Sequence, residues 1–215
     1  MVGLGFKKGR ATPCAFYHEP RNIRVVVHGD DFTVLGSEEQ LNWFRKQIQG
    51  KYVVEFKGRL GGTSQDDEDV VVLHRAVSWD REGIRYEADQ RHAEIILRDL
   101  GLTSVSKSSP SPLNKFAVSG EDDEQLLVGP EATKYRAIVA RANYLSQDRT
   151  DIKVAVKELS RCMSKPSKGD LVKLKRFGRY LVDKQRLIQP LSYQPGTKYL
   201  DVWVDTHFAG CKKTH

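Results

Sequence analysis

The chain has 215 residues, of which 39% are hydrophobic and 29% charged, and carries a formal net charge of +7. That length suits one large domain or two small ones. No apolar run approaches the ~18 residues of a membrane span, and the opening MVGLGFKKGRATP lacks an apolar stretch for a signal peptide. Three widely spaced cysteines, Cys14, Cys162 and Cys211, argue for free thiols in a reducing compartment rather than a disulfide framework. The protein is therefore expected inside the cell, in cytoplasm or nucleus, and not in a membrane.

In chain order, residues 14–36 read as strands. CAFYH comes first, then RVVVHGDDFTVLG, where strand formers flank a short Gly-Asp turn. This predicts a β-hairpin with Asp30 and Asp31 at its tip. Two carboxylates at a rigid tip make a hard-oxygen site for Mg²⁺ or Mn²⁺, of the kind used in two-metal phosphoryl transfer. An ordinary turn rich in Gly and Asp is the plainer reading.

Ser37, with Gln40 three residues on, predicts a capping box opening a helix. Leu41, Phe44 and Ile48 form its apolar face, and Gly50 ends it. Residues 52–56 alternate like a strand. Residues 60–69 form a polar break, whose Asp66, Asp67, Glu68 and Asp69 are expected to be mutually repelling surface acids. Residues 70–79 read as one long strand, 80–83 as a turn and 84–86 as the returning strand. A second helix begins near Asp89 or Gln90, with Ala93, Ile96, Leu97 and Leu100 inward and Gly101 as its stop. Arg91-His92 at its start is either a phosphate contact or a solvated pair.

Residues 103–130, rich in Ser, Lys, Pro, Gly and acids, read as a linker. Helical spacing follows over 133–146, 151–163 and 171–182. From Leu171 to Arg186 the chain carries Lys173, Lys175, Arg176, Arg179, Lys184 and Arg186 against Asp183 alone. Such a stripe suits a polyanion, most simply a nucleic-acid backbone, though a solvated helix face gives the same pattern. Residues 199–205 alternate as a final strand. His207, Cys211 and His215 share a spacing of four residues, but a zinc site would still need a fourth ligand.

The ordered series of segments resembles the C-terminal half of the reverse transcriptase of copia-type LTR retrotransposons, running into the first strand of ribonuclease H. GFKKGRATPCAFYH is similar to the stretch before that family's catalytic hairpin, and VVVHGDDF stands at its Tyr-Val-Asp-Asp box, with His28 in place of Tyr and Gly29 in place of Val. GIRYEADQRHAEIILRDLGL, SPSPLNKF, KYRAIVARANYLSQDRTDIKVAVKELSRCMSKPS and VKLKRFGRYLVDKQ resemble successive family segments, with Thr150 replacing the Pro of Arg-Pro-Asp. WVDTHFAGC stands at the start of ribonuclease H, where His207 replaces an acid and Phe208 a Trp.

The resemblance implies an α+β fold. An antiparallel palm-type hairpin sheet with packed helices would be followed by a helical thumb and connection region. It divides the chain into a palm remnant (1–102), a linker (103–130), a thumb and connection (131–190) and the start of a truncated ribonuclease H-like strand (191–215). Asp30 and Asp31 would be the polymerase metal pair, and Asp205 the first carboxylate of an incomplete ribonuclease H site. The family's third polymerase aspartate, nucleotide loop and fingers would lie upstream of Met1. The expected function is thus that of a fragment of an RNA-directed DNA polymerase, inactive alone and binding Mg²⁺ or Mn²⁺ weakly. Its partners would be an RNA/DNA primer–template and the missing upstream portion. The alternative is a non-catalytic remnant that binds nucleic acid or a polyprotein partner. Gly-Asp-Asp is also a signature of viral RNA-dependent RNA polymerases, but the downstream segments argue against that class.

Overall fold

The computed structural model describes residues 1–113, 124–194, 196 and 202. It is α+β, with two four-stranded antiparallel sheets and, among the described residues, five α-helices. The chain divides into two units, Met1–Lys57 and Gly58–His215. The boundary therefore falls inside the region read as a palm remnant, and the segment read as a linker lies within the second unit. No helix among the described residues is long and apolar enough to cross a membrane.

In the first unit, β1 (Lys7–Lys8), β2 (Ala15–His18), β3 (Ile23–His28) and β4 (Asp31–Leu35) pair in sequence order. Alternation decides which side is buried. Ile23 and Val25 turn inward beneath α1 (Glu38–Gln49), where Phe6, Phe44 and Ile48 complete the core. His18 is buried edge-on to Phe6 and Trp43, with ring centroids 5.0 and 5.3 Å apart. The capping box expected from Ser37 and Gln40 is not formed. Ser37 makes no side-chain cap bond, and Gln40 Oε1 accepts from Arg21 Nη1 at 2.8 Å rather than from the Ser37 amide. Residues 52–56 are not a strand. Val53 and Phe56 are exposed, no strand pairs with them, and Arg45 lies over the Phe56 ring at 4.4 Å.

In the second unit, β5 (Asp69–Val72), β6 (Arg75–Asp80) and β7 (Gly83–Glu87) form a meander that β8 (Ile188–Ser192) joins beside β7. The long strand expected over 70–79 is split by a two-residue turn, Leu73-His74, with both residues at positive φ (50° and 65°). That is the backbone of a type I′ hairpin turn. The next turn is legible: Asp80 Oδ1 accepts from the amides of Glu82 and Gly83 at 2.7 and 3.0 Å. Gly83 is required by close approach, since a Cβ there would lie 2.2 Å from the Leu191 carbonyl oxygen across the β7–β8 pair.

Helices α2 (Arg91–Leu100), α3 (Gly129–Leu145), α4 (Lys153–Arg161) and α5 (Lys168–Asp183) share one apolar core that includes Ile96, Tyr135, Val139, Val156, Leu174 and Phe177. Gly101 (φ 69°) ends α2 in the left-handed conformation, with the Leu102 amide returning to the Leu97 carbonyl at 2.9 Å. α3 starts four residues earlier than expected, with Pro in its first turn. α5 opens on a capping box that the sequence reading missed. Ser167 Oγ accepts from the Asp170 amide at 3.3 Å, and Asp170 Oδ2 accepts from the Ser167 amide at 3.1 Å.

Candidate functional site

The hairpin tip is built by register. His28 pairs with Asp31, leaving Gly29 and Asp30 as the two turn residues. Gly29 takes the positive φ (62°) that a type II′ turn requires at its first central position. Phe32 and Val34 pack against the core, which puts Asp31 on the opposite, outer side of β4 with Thr33 and Leu35. Asp30 and Asp31 are both exposed, as are His28 and Gly29 around them. Lys57 Nζ binds Glu55 Oε2 at 3.0 Å. Glu55, and behind it Asp31 and Asp30, hold the Lys57 ammonium above its usual pKa.

As a donor set, two exposed carboxylates fit a hard divalent cation that keeps most of its own water or takes phosphate oxygens. Among the described residues, no three His, Cys, Asp or Glu side chains converge to form a fuller metal site. Asp205, His207, Cys211 and His215 lie outside the described residues.

The basic residues of α5 and its exit do not behave alike. Lys173 Nζ pairs with Asp170 Oδ1 at 2.9 Å, and Arg186 grips Glu87 through two bonds of 2.7 Å. The acids that quench these two cations sit outside the basic run, which is why the local sequence shows only Asp183. Lys175 and Lys184 are exposed, while Arg176 and Arg179 are half-buried. Arg176 Nε is shielded and makes no hydrogen bond. Lys175, Arg176 and Arg179 share one side of α5, at positions consistent with its turn of about 3.6 residues.

No family model and no solved structure matches this chain.

Two further clusters differ in part from their sequence reading. Within residues 66–69, Asp66 and Asp67 are partnered rather than simply repelling. Asp66 pairs with Arg59 and accepts from Thr63 Oγ1 at 2.7 Å, and Asp67 accepts from the Arg59 amide at 2.9 Å. The Thr63 hydroxyl and amide, with Arg59, hold the Asp66 carboxyl below the usual range.

Of Arg91-His92, Arg91 is exposed, as a solvated pair would be, whereas His92 is half-buried. Arg91 Nη2 binds Asp89 Oδ2 at 2.6 Å. The His92 ring lies 4.6 Å from that of Tyr144, and its Nδ1 is 3.3 Å from Arg141 Nη1. Burial pushes the His92 pKa down; Asp89 opposes that shift, and Arg141, Arg91 and Arg75 reinforce it.

Proposed function

We propose that the chain is part of an RNA-directed DNA polymerase of the copia retrotransposon type and acts on a primer–template. The observation that carries this reading is the tip of the β3–β4 hairpin. A two-residue Gly29-Asp30 turn presents Asp30 and Asp31 together, exposed, at the end of a four-stranded antiparallel sheet backed by a helix. In this reading Asp30 and Asp31 hold Mg²⁺, and the ion when bound supplies charge stabilisation for phosphoryl transfer. The rigid turn fixes the spacing of the two carboxylates. On the other unit, Lys175, Arg176 and Arg179 offer their cations to backbone phosphates.

Mn²⁺ titration followed by electron paramagnetic resonance tests the reading. Binding at about millimolar strength is expected, and Asp30→Asn with Asp31→Asn should abolish it while leaving the circular dichroism spectrum unchanged. Primer extension on poly(rA)–oligo(dT) with Mg²⁺ or Mn²⁺ should stay at background for this chain alone. Mn²⁺ affinity untouched by the double substitution would refute the metal assignment. Extension that disappears in Asp30→Asn would show a complete polymerase rather than a part of one.

A second reading, a non-catalytic nucleic-acid-binding module, draws on the cationic side of α5. It predicts salt-sensitive binding that survives Asp30→Asn with Asp31→Asn and weakens when Lys175 and Arg179 are reversed to Glu.

A further inference from the structure

Helices α3 and α4 run back to back and leave an open groove of about 820 Å³ between them. Its two walls differ in chemistry. The α3 wall presents Ala140, Asn143 and Tyr144, spaced so that they fall on one side of the helix, with Gln147 just past its end. The α4 wall presents Lys153, Lys157 and Arg161, each four residues from the next, hence about 6 Å apart along the helix. Arg161 pairs with Glu158, whereas Lys153 and Lys157 have no acid partner among the described residues. Ser160 lines the groove as well, and its Oγ is buried without a hydrogen bond.

Tyr144 is the second half of the pattern. It remains 40% exposed while the His92 ring and the Arg75 guanidinium, 4.6 and 5.8 Å from its ring centroid, hold it in place. A fixed, exposed aromatic ring beside a row of cations is the arrangement that binds single strands. Bases stack on the ring, and the phosphates track the positive charge. The amides of Asn143 and Gln147 add donors and acceptors suited to base edges.

We propose that the α3–α4 groove binds single-stranded nucleic acid, with the phosphates along Lys153, Lys157 and Arg161 and a base on Tyr144. A duplex could reach the lysines, but its bases are already stacked and would not use the ring. An acidic peptide could use the lysines but would gain little from Tyr144 or the two amides. The proposal is independent of the polymerase reading, because a chain that extends no primer can still bind here.

Fluorescence anisotropy of the full chain with a labelled oligonucleotide of about 12 nucleotides, a length within the range one such site can cover, tests it at low salt. Tyr144, Lys153 and Lys157 are exposed, so variants at these three positions should keep the wild-type circular dichroism spectrum. Tyr144→Ala should weaken single-strand binding about 5- to 100-fold, the span of one base stack, while Tyr144→Phe retains it. Lys153→Glu with Lys157→Glu should weaken it further and flatten the plot of log affinity against log salt by about 1.4, the share of two phosphates on a single strand. A blunt duplex of the same sequence should bind equally to wild type and Tyr144→Ala. The proposal fails if single-strand affinity is unchanged in Tyr144→Ala, if polyglutamate competes as well as the oligonucleotide, or if only Lys175→Glu with Arg179→Glu removes binding.

Discussion

Arg149 donates a parallel pair of hydrogen bonds to Asp151, Nε to Oδ1 at 2.9 Å and Nη2 to Oδ2 at 2.7 Å, from a position only 1% exposed. The same guanidinium reaches the carbonyls of Gln185 and Lys184 at 3.2 and 3.0 Å, and the Tyr180 hydroxyl donates to Asp151 Oδ2 at 2.9 Å. Two residues that are near neighbours in sequence thus fasten the α3–α4 connection to the exit of α5. Their neighbour Asp148 does the same for the sheet. It accepts from Arg75 on β6 at 3.0 Å and from the Tyr86 hydroxyl on β7 at 2.6 Å. Burial, with Asp148, pushes the Tyr86 hydroxyl up to about 12.

Removing one side of a buried, forked ion pair leaves a charge without compensation. Arg149→Ala should lower the unfolding free energy by about 3–5 kcal/mol, read from urea denaturation. Arg149→Lys keeps the charge but loses the fork, so its midpoint should fall between wild type and Arg149→Ala. A loss in Arg149→Ala no larger than that of an exposed Arg would show that the fork does not hold the two helix ends together.

Acid should destabilise the second unit by a defined route. Burial raises the Asp151 pKa, but Arg149 and the Tyr180 hydroxyl outweigh it, so the carboxyl sits below its usual range. Burial likewise raises Asp170, and Lys173 with the Ser167 amide outweighs it. Since both carboxyls bind protons more readily when unfolded, the stability they contribute is full above about pH 4 and falls as pH drops below it. His92 is depressed as well, so its share begins to fall earlier, below about pH 6.5. Urea midpoints measured from pH 7 to pH 3 should show both limbs. Asp151→Asn should flatten the lower one, and an unchanged slope there would remove Asp151 from the account.

The Leu73-His74 turn holds two non-glycine residues at positive φ, a conformation costing roughly 1–2 kcal/mol per residue for most L-amino acids. Leu73→Asn with His74→Gly supplies the residues such a turn prefers. The pair should raise stability by about 1–2 kcal/mol and shift the thermal midpoint upward. A midpoint that falls would mean that the contacts of these two side chains outweigh the backbone strain.

Gly178 sits where α5 passes the end of α2. A Cβ there would lie 2.4 Å from Leu100 Cδ1 and 2.8 Å from Leu102 Cδ1. Gly178→Ala improves helix propensity yet should destabilise by about 1–3 kcal/mol, because the crossing is overpacked. Denaturant melts of Gly178→Ala, of Leu100→Ala and of the two combined separate the two effects. If the clash dominates, Leu100→Ala should cost less when Gly178→Ala is already present than in wild type.

Local signals carried well from sequence to structure. The Gly-Asp hairpin, the Asp80–Gly83 turn, and the ends of α1 and α2 at Gly50 and Gly101 all follow from residues whose backbone preferences act over a few positions. What was not legible depended on partners elsewhere. Leu73-His74 carries no turn residue, so the split of the long strand leaves no mark in composition. Gln40 looks like half of a capping box until Arg21 claims it, while Ser167 and Asp170 do form one and went unread. The basic run on α5 looked unopposed because Asp170 and Glu87 pair with it from outside the run. The four-residue spacing of Lys153, Lys157 and Arg161 went unread, because the groove they line beside Tyr144 exists only once α3 and α4 pack.

The pairing of β8 with β7 sets a schedule as well as a shape. Ile188 to Ser192 lie opposite Glu87 to Gly83, about a hundred positions back along the chain. Contacts so distant in sequence form late and slow folding. A ribosome must therefore release all four helices before the second sheet can acquire its last strand, and until then β7 keeps an open edge. Pro190, which faces Arg85 in this ladder, sits on the strand that closes that edge. Once in place, it presents a residue with no amide hydrogen of its own, so a further strand finds fewer donors to add onto.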